Sequence, residues 1–375
     1  MAVVAVAYLG STAALSHWGS FEADRAMRLA IGFTQGRLDL DPDGRTNDIV
    51  TIDGRLYQAL SPLPIVAYLP FVPFPDLWGA ARSVLPAVTG MATAWLALPL
   101  ARRYGPGGST TYWLASCSAF GTVLFTLSIQ SNYYFLAQVQ AALFTFIALL
   151  EWAGRRRPWV IGLAFGLAGL ARPNVLLAVI PFGIALLVTS QQRVRAMVGM
   201  TVPIVLTLLV AGAYNLARFG SPLESGYGIS HLNGVLAERR AIGLFSLQHL
   251  PDNLARLVAR GFDVQDRFPH LVPDIGGHSI LLTTPAVLMA VRAGIRRRLP
   301  QVLWGATLLV AIPVLLYYGG GGARTYGYRY VLDFLPFVLA LMALAAKVRF
   351  GVLERSLIVA SIAFSSYGLL WFLAN

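Results

Sequence analysis

A single cysteine, Cys117, leaves no partner for an intramolecular disulfide and rules out a cysteine-rich metal site; lying inside an apolar run, it reads as a small core residue. Charge is also scarce. Asp, Glu, Lys and Arg make up 12% of the 375 residues, about half of what soluble globular proteins carry. Acidic residues are the rarer sign, 17 against 29 Lys and Arg, which leaves a formal net charge of +12. No Walker, Rossmann or HExxH pattern occurs, so phosphate-cradling glycine loops and zinc-protease helices are not indicated. There is no low-complexity linker, no internal repeat and no clear pair of inverted halves, which argues against transporter architectures built on such symmetry.

Apolar residues are what the chain has in abundance, 57% of it, with a mean hydropathy of +0.64. They come in runs of about 16 to 22, each closed by arginine, proline or glycine, and one such run suffices to cross a hydrocarbon core. The spacing predicts an all-α polytopic membrane protein forming one transmembrane domain over 1–375. About eleven helices are expected, near 2–17, 83–101, 109–130, 133–152, 158–171, 173–189, 196–216, 277–292, 301–318, 329–346 and 356–373. The first run has no charged leader and no small-residue cleavage site, so it is expected to stay as a helix.

The basic residues then fix an orientation. With the N-terminus inside, the cytoplasmic connections hold Arg102, Arg103, Arg155, Arg156, Arg157, Arg193, Arg195, Arg292, Arg296, Arg297, Arg298, Lys347, Arg349 and Arg355, opposed only by Glu151 and Glu354. The positive excess therefore falls on one face, as the positive-inside rule requires, and reads as topology instead of a nucleic-acid footprint. Two less apolar segments, 17–82 and 215–276, fall on the outer face. Phe21 to Gly36 has the spacing of an amphipathic interfacial helix, and Asn253 to Phe262 is also expected to be helical.

Carboxylates at membrane depth are functional candidates, because low-dielectric surroundings raise their pKa toward that of a general base. Glu22 and Asp24 lie closest to the end of the first helix; Asp24 also has Arg28 four residues on, where a local ion pair is the plainer expectation. Asp39, Asp41 and Asp43 imitate the opening of a calcium loop, but its twelfth position would be Val50 in place of a bidentate glutamate, so a solvated turn is favoured while a divalent cation stays open. Arg172, Arg218 and Arg329 stand at outer helix ends. Guanidinium groups there either snorkel toward lipid headgroups or grip phosphate with their fork.

Several patches resemble the GT-C class of membrane glycosyltransferases, in particular the bacterial, glycosyltransferase family 39-like relatives of the protein O-mannosyltransferases. They are Asp24-Arg-Ala-Met-Arg-Leu-Ala-Ile-Gly-Phe-Thr-Gln-Gly36, Asp53-Gly-Arg-Leu-Tyr-Gln-Ala-Leu-Ser-Pro-Leu-Pro64 and Gly166-Leu-Ala-Gly-Leu-Ala-Arg-Pro173. Two later ones are Tyr214 to Tyr227 and Gly327-Tyr-Arg-Tyr330 with Asp333 and Pro336. The likeness runs in order through most of the chain.

The resemblance implies inverting transfer of a sugar from a polyprenyl-phosphate donor, on the extracytoplasmic face of a bacterial plasma membrane, to a glycan, lipid or protein acceptor. Asp24 would be the base. Arg329, then Arg172 and Arg218, would hold the donor phosphate, and Glu22, Tyr57, Glu224, Tyr227 and His278 would contact sugar or acceptor. Many relatives carry two adjacent acids where this chain has Glu22-Ala-Asp24, and Leu63 displaces the second proline of the first-loop motif; base and acceptor stay open on that account. A lipid-linked-saccharide flippase and a noncatalytic polyprenyl-phosphate-binding relative are the alternatives. Almost no charge lies in mid-run, which disfavours the first of these.

Overall fold

The computed structural model describes residues 1–15, 24–42, 44, 47–268, 270–274, 276–320 and 325–374. Among them the chain is mostly helical. The first outer segment follows the apolar helix α1 (Ala2–Leu15) and contains α2 (Arg25–Thr34), the antiparallel strands β1 (Ile49–Ile52) and β2 (Arg55–Gln58), and α3 (Pro62–Val66). Asp53 and Gly54, with φ of 50° and 75°, make the hairpin turn, the backbone that an Asp-Gly pair favours. The expected interfacial helix is present as α2, shorter than the Phe21 to Gly36 stretch, whose first three residues lie outside the described set.

Helices α4 (Trp78–Tyr104), α5 (Ser109–Phe120), α6 (Val123–Ser128), α7 (Tyr133–Ala153), α8 (Pro158–Ala171), α9 (Val179–Thr189) and α10 (Arg193–Phe219) follow. The expected single run over 109–130 is broken. Gly121 ends α5 where a Cβ would lie 3.0 Å from the Ser361 Cβ, and Thr122 starts α6 by accepting from the Leu124 amide. Arg172 is extended (φ −141°, ψ 97°) because the following Pro173 disfavours helical backbone before it. Gly220, at φ 72°, closes α10 in the left-handed cap that suits glycine.

The second outer segment holds α11 (Val235–Ile242), α12 (Leu250–Val258) and the strands β3 (Asp263–Val264) and β4 (Leu271–Val272). Helix α12 begins and ends earlier than the expected Asn253 to Phe262, with Pro251 in its first turn. Strand β5 (Gly276–His278) pairs in parallel with β6 (Thr325–Gly327), so the chain just before Arg329 is tied to the chain just before α13 (Ile280–Thr283). The stretch after α13 is a 3-10 helix over Pro285–Ala293, and α14 (Arg298–Leu316), α15 (Leu335–Ala345) and α16 (Val352–Ala374) complete the bundle.

Among the described residues five helical stretches are long and apolar enough to cross a membrane: Pro75–Tyr104, Tyr133–Ala153, Arg193–Phe219, Arg298–Leu316 and Val352–Ala374. Five shorter apolar ones accompany them: Ala2–Leu15, Pro62–Phe71, Pro158–Ala171, Pro173–Thr189 and Leu335–Ala345. Only 22% of the most apolar window of α10 is buried inside the protein, and Val198, Val202, Leu206 and Leu209 face outward. So much contiguous exposed aliphatic surface is suited to lipid and not to water. Small residues let α8 and α10 touch. A Cβ on Gly162 would lie 2.0 Å from the Met200 carbonyl oxygen, and one on Gly166 2.5 Å from the Thr207 hydroxyl.

The two less apolar segments pack on each other at one end of the bundle: the Asp48 amide donates to the His231 carbonyl (2.9 Å), and the His231 amide to that of Ile49 (2.7 Å). Basic connections gather at the other end. There Arg157 pairs with Glu151 (2.9 Å), Lys347 with Glu354 (3.8 Å), Arg292 bonds to the same Glu354, and Thr110 donates to the Lys347 carbonyl (2.9 Å).

Candidate functional site

The turn Arg329–Asp333, held between β6 and α15, places Arg329, Tyr330 and Asp333 at the bundle end that carries the two less apolar segments. Asp333 is fully buried, and Arg172 reaches it across 161 positions with Nη2 to Oδ2 at 2.9 Å; Asn174 Nδ2 donates to the same oxygen at 2.9 Å. A buried carboxylate needs such partners, so Arg172 is already compensated within the fold.

Arg329 differs. Its Nη2 donates to the Tyr330 hydroxyl at 3.0 Å, its guanidinium carbon lies 5.5 Å from the Phe135 ring centroid and 4.8 Å from that of Tyr330, and its Nε is buried with no hydrogen-bond partner. No carboxylate pairs with it among the described residues. Arg172 lies 5.2 Å from the same Tyr330 ring, so two cations share one phenol, one neutralised and one not.

Arg218, the third arginine, is 3% exposed and works as a bolt. Its Nη1 donates to the Gln58 carbonyl at 2.8 Å, Nη2 to Asn215 at 3.1 Å, and its guanidinium stacks 3.6 Å from the Tyr214 ring centroid. With all of this committed, it ties α10 to β2 and does not reach for a ligand.

A run of donors leads from Gln58 to a second acid. Arg25 Nη1 donates to Gln58 Oε1 (2.9 Å), Gln58 Nε2 to the Tyr134 hydroxyl (2.6 Å), and that hydroxyl to Asp48 Oδ2 (3.0 Å). Tyr227 lies within the fields of Arg172, Asp48, Tyr330 and Tyr318. Burial raises its phenol well above the ordinary value; the Arg172 charge opposes that shift and Asp48 adds to it. Tyr57 packs edge-on against Phe219, with ring centroids 5.9 Å apart. Arg172, Arg218, Arg329, Tyr57 and Tyr227 are thus gathered in one region.

Asp24 stands at the start of α2. It is 1% exposed and caps α2, with Oδ1 accepting from the amides of Ala26 (3.0 Å) and Met27 (3.4 Å), so it does not form the expected local pair with Arg28. Its other oxygen and the neighbouring Tyr68 hydroxyl are both buried and act on each other. Burial raises the Asp24 pKa, against the lowering effect of Arg82, the two amides and the Tyr68 hydroxyl.

The remaining candidates have local duties. His278 is fully buried; its Nε2 accepts from the Asp274 amide (3.2 Å), which leaves Nδ1 to donate to the Gly261 carbonyl (2.9 Å). Burial lowers its pKa, so it is a neutral strut between β5 and the end of α12, and Ser279 caps the next helix. Glu224 accepts from the Gly226 amide (2.7 Å), shaping the loop that presents Tyr227. Asp41 pairs with Arg37 at 3.2 Å and Asp39 with the same arginine at 3.8 Å. No group of three or more His, Cys, Asp or Glu suited to a metal ion occurs among the described residues. Glu22 and Asp43 lie outside the described residues.

Sequence reading missed Asp48, Gln58 and Tyr134. The available signal was a buried-type glutamine directly after Tyr57, next to the Asp-Gly turn. Comparison with protein-family models, curated proteins and solved structures finds no match.

Proposed function

We propose that this chain is a GT-C-like glycosyltransferase of the bacterial plasma membrane, with about eleven crossings once its broken helices are counted, acting on the extracytoplasmic face. It takes a sugar from a polyprenyl-phosphate donor and passes it, with inversion, to an acceptor hydroxyl on a glycan, lipid or protein.

The observation that carries this reading is Arg329. A guanidinium with no carboxylate partner among the described residues, a buried unpartnered Nε and a phenol on one side is suited to an anion at the edge of an apolar bundle. Phosphate on a lipid tail suits it: the fork matches the phosphate oxygens, and the charge stabilises the leaving group as the anomeric bond breaks. Arg172, on the same Tyr330 ring, adds positive field without leaving Asp333. Tyr227 and Tyr330 offer aromatic and hydroxyl surface to a sugar. A carboxylate of the first outer segment completes the reaction by taking the acceptor's proton.

The test uses purified protein in lipid nanodiscs with radiolabelled polyprenyl-phosphate sugars and a membrane extract as acceptor. Transfer of label with release of polyprenyl phosphate, lost in Arg329→Ala, supports the reading. Sugar lipid crossing a vesicle bilayer uncleaved would replace it with the flippase alternative.

A further inference from the structure

We propose that Asp48, on the reading of the chain as a glycosyltransferase, is the general base that takes the proton from the acceptor hydroxyl. The acceptor oxygen bonds to the anomeric carbon as the bond from that carbon to the donor phosphate breaks. The departing electron pair goes to the phosphate oxygen facing Arg329, and the acceptor's proton ends on the Asp48 carboxylate.

Three independent features single out this residue. The first is backbone. Among the described residues three non-glycines have positive φ: Asp53 in the hairpin turn, Arg156 just past a helix end, and Asp48, at φ 61°, leading into β1. Its amide donates to the His231 carbonyl (2.9 Å) and its carbonyl accepts from the Ala59 amide (3.1 Å), so this unfavoured conformation is clamped from both outer segments.

The second is its hydrogen bonding. Arg25, Gln58 and Tyr134 form a relay in which every link donates toward Asp48, and a relay of that polarity ends properly on an ionised acceptor. Only Oδ2 is used. No cation pairs with Asp48 among the described residues, whereas Asp333 is tied to Arg172, and Asp252 to Arg239 at 2.6 Å and Arg256 at 3.1 Å.

The third is access. Asp48 is half-buried, and both it and Arg172 act on the Tyr227 phenol. Asp24 is sealed at 1% exposure with one oxygen occupied by α2. The rings of Tyr133 and Tyr134 are adjacent, with centroids 4.5 Å apart: Tyr134 bonds Asp48, and both acids act on Tyr133.

Asp48→Asn is a clean test, because asparagine tolerates positive φ and still accepts from Tyr134. In the nanodisc assay it is expected to keep the wild-type unfolding midpoint and donor KM while kcat for transfer falls by about 10²- to 10⁴-fold. Asp48→Glu, which restores a carboxylate, should recover part of that loss. Transfer by Asp48→Asn within about threefold of wild type overturns the assignment, and so does a collapse in Asp24→Asn while Asp48→Asn stays active. Both of those outcomes leave the glycosyltransferase reading standing. If the wild-type protein transfers none of the sugars offered, the reading and the assignment fall together.

Discussion

At the scale of single residues, the arginines that look alike in sequence have different work. Removing Arg172 strands the fully buried Asp333, and breaking a buried pair from one side costs roughly 3–5 kcal/mol. Arg172→Ala is therefore expected to lower the thermal midpoint of the detergent-solubilised protein sharply, and Arg172→Met combined with Asp333→Leu to recover much of it. Arg329→Ala deletes a cation that pairs with no carboxylate among the described residues. Its midpoint should stay close to wild type, while transfer falls by about 10²- to 10³-fold, the size of losing one charge-stabilising donor. Equal destabilisation by the two alanine variants would refute the division of labour. The sequence put both arginines at helix ends, Arg172 by the proline after it and Arg329 by the tyrosines around it. It did not reveal that Arg172 is spoken for, because its partner lies 161 positions away and is set by how two helical turns meet.

Whole elements lean on a few of these groups, and α2 on Asp24 most of all. Burial raises the Asp24 pKa, so near and above the ordinary carboxylate value, about 4, the folded chain holds a proton that the unfolded chain has released. The stability from this group is complete below that value and is lost as pH climbs through the raised folded pKa. Asp24→Asn keeps an oxygen for the cap and discards the charge; its midpoint should exceed that of wild type at pH 8, with the gap closing as pH falls toward 4. Asp24→Ala loses the cap as well and should sit below the asparagine variant by about 1 kcal/mol. A gap that does not change with pH would contradict the raised pKa of Asp24.

Between α8 and α10, Gly162→Ala forces a Cβ to within 2.0 Å of a backbone oxygen, and a thermal midpoint lowered by the equivalent of about 1–3 kcal/mol is expected. Gly10→Ala in α1, with nothing within 4 Å, is the matched control and should hold or gain up to about 1 kcal/mol. Hydrophobic runs made most of these helices legible, but not where they break. The interruptions at Gly121 and across Pro285–Ala293 follow from contacts with α16, such as the Ala286 amide donating to Ser361 at 3.2 Å, which no local window contains. Asp53-Gly54 carried the signal of a hairpin in plain sight, and the flanking residues alternate too briefly for a strand to be read with it.

Taken as one molecule, the chain has two unlike ends. One holds α2, the β1–β2 hairpin, α11 and α12 with Asp48, Arg172 and Arg329; the other holds the basic connections around Glu151 and Glu354. On the positive-inside rule the basic end is expected in the cytoplasm, and the catalytic proposal needs the opposite end to face outward, so orientation tests both at once. The protein provides its own clean background, since Cys117 is fully buried. Leu223→Cys, at a position 92% exposed in the loop before Tyr227, and Val348→Cys, 65% exposed between Lys347 and Arg349, are single-site probes of the two ends. With a membrane-impermeant maleimide, Leu223→Cys should label in intact cells and Val348→Cys only after lysis. The reverse pattern would turn the site toward the cytoplasm, where a donor sugar displayed on the outer leaflet is out of reach, and labelling of both in intact cells would mean that no bilayer separates the two ends.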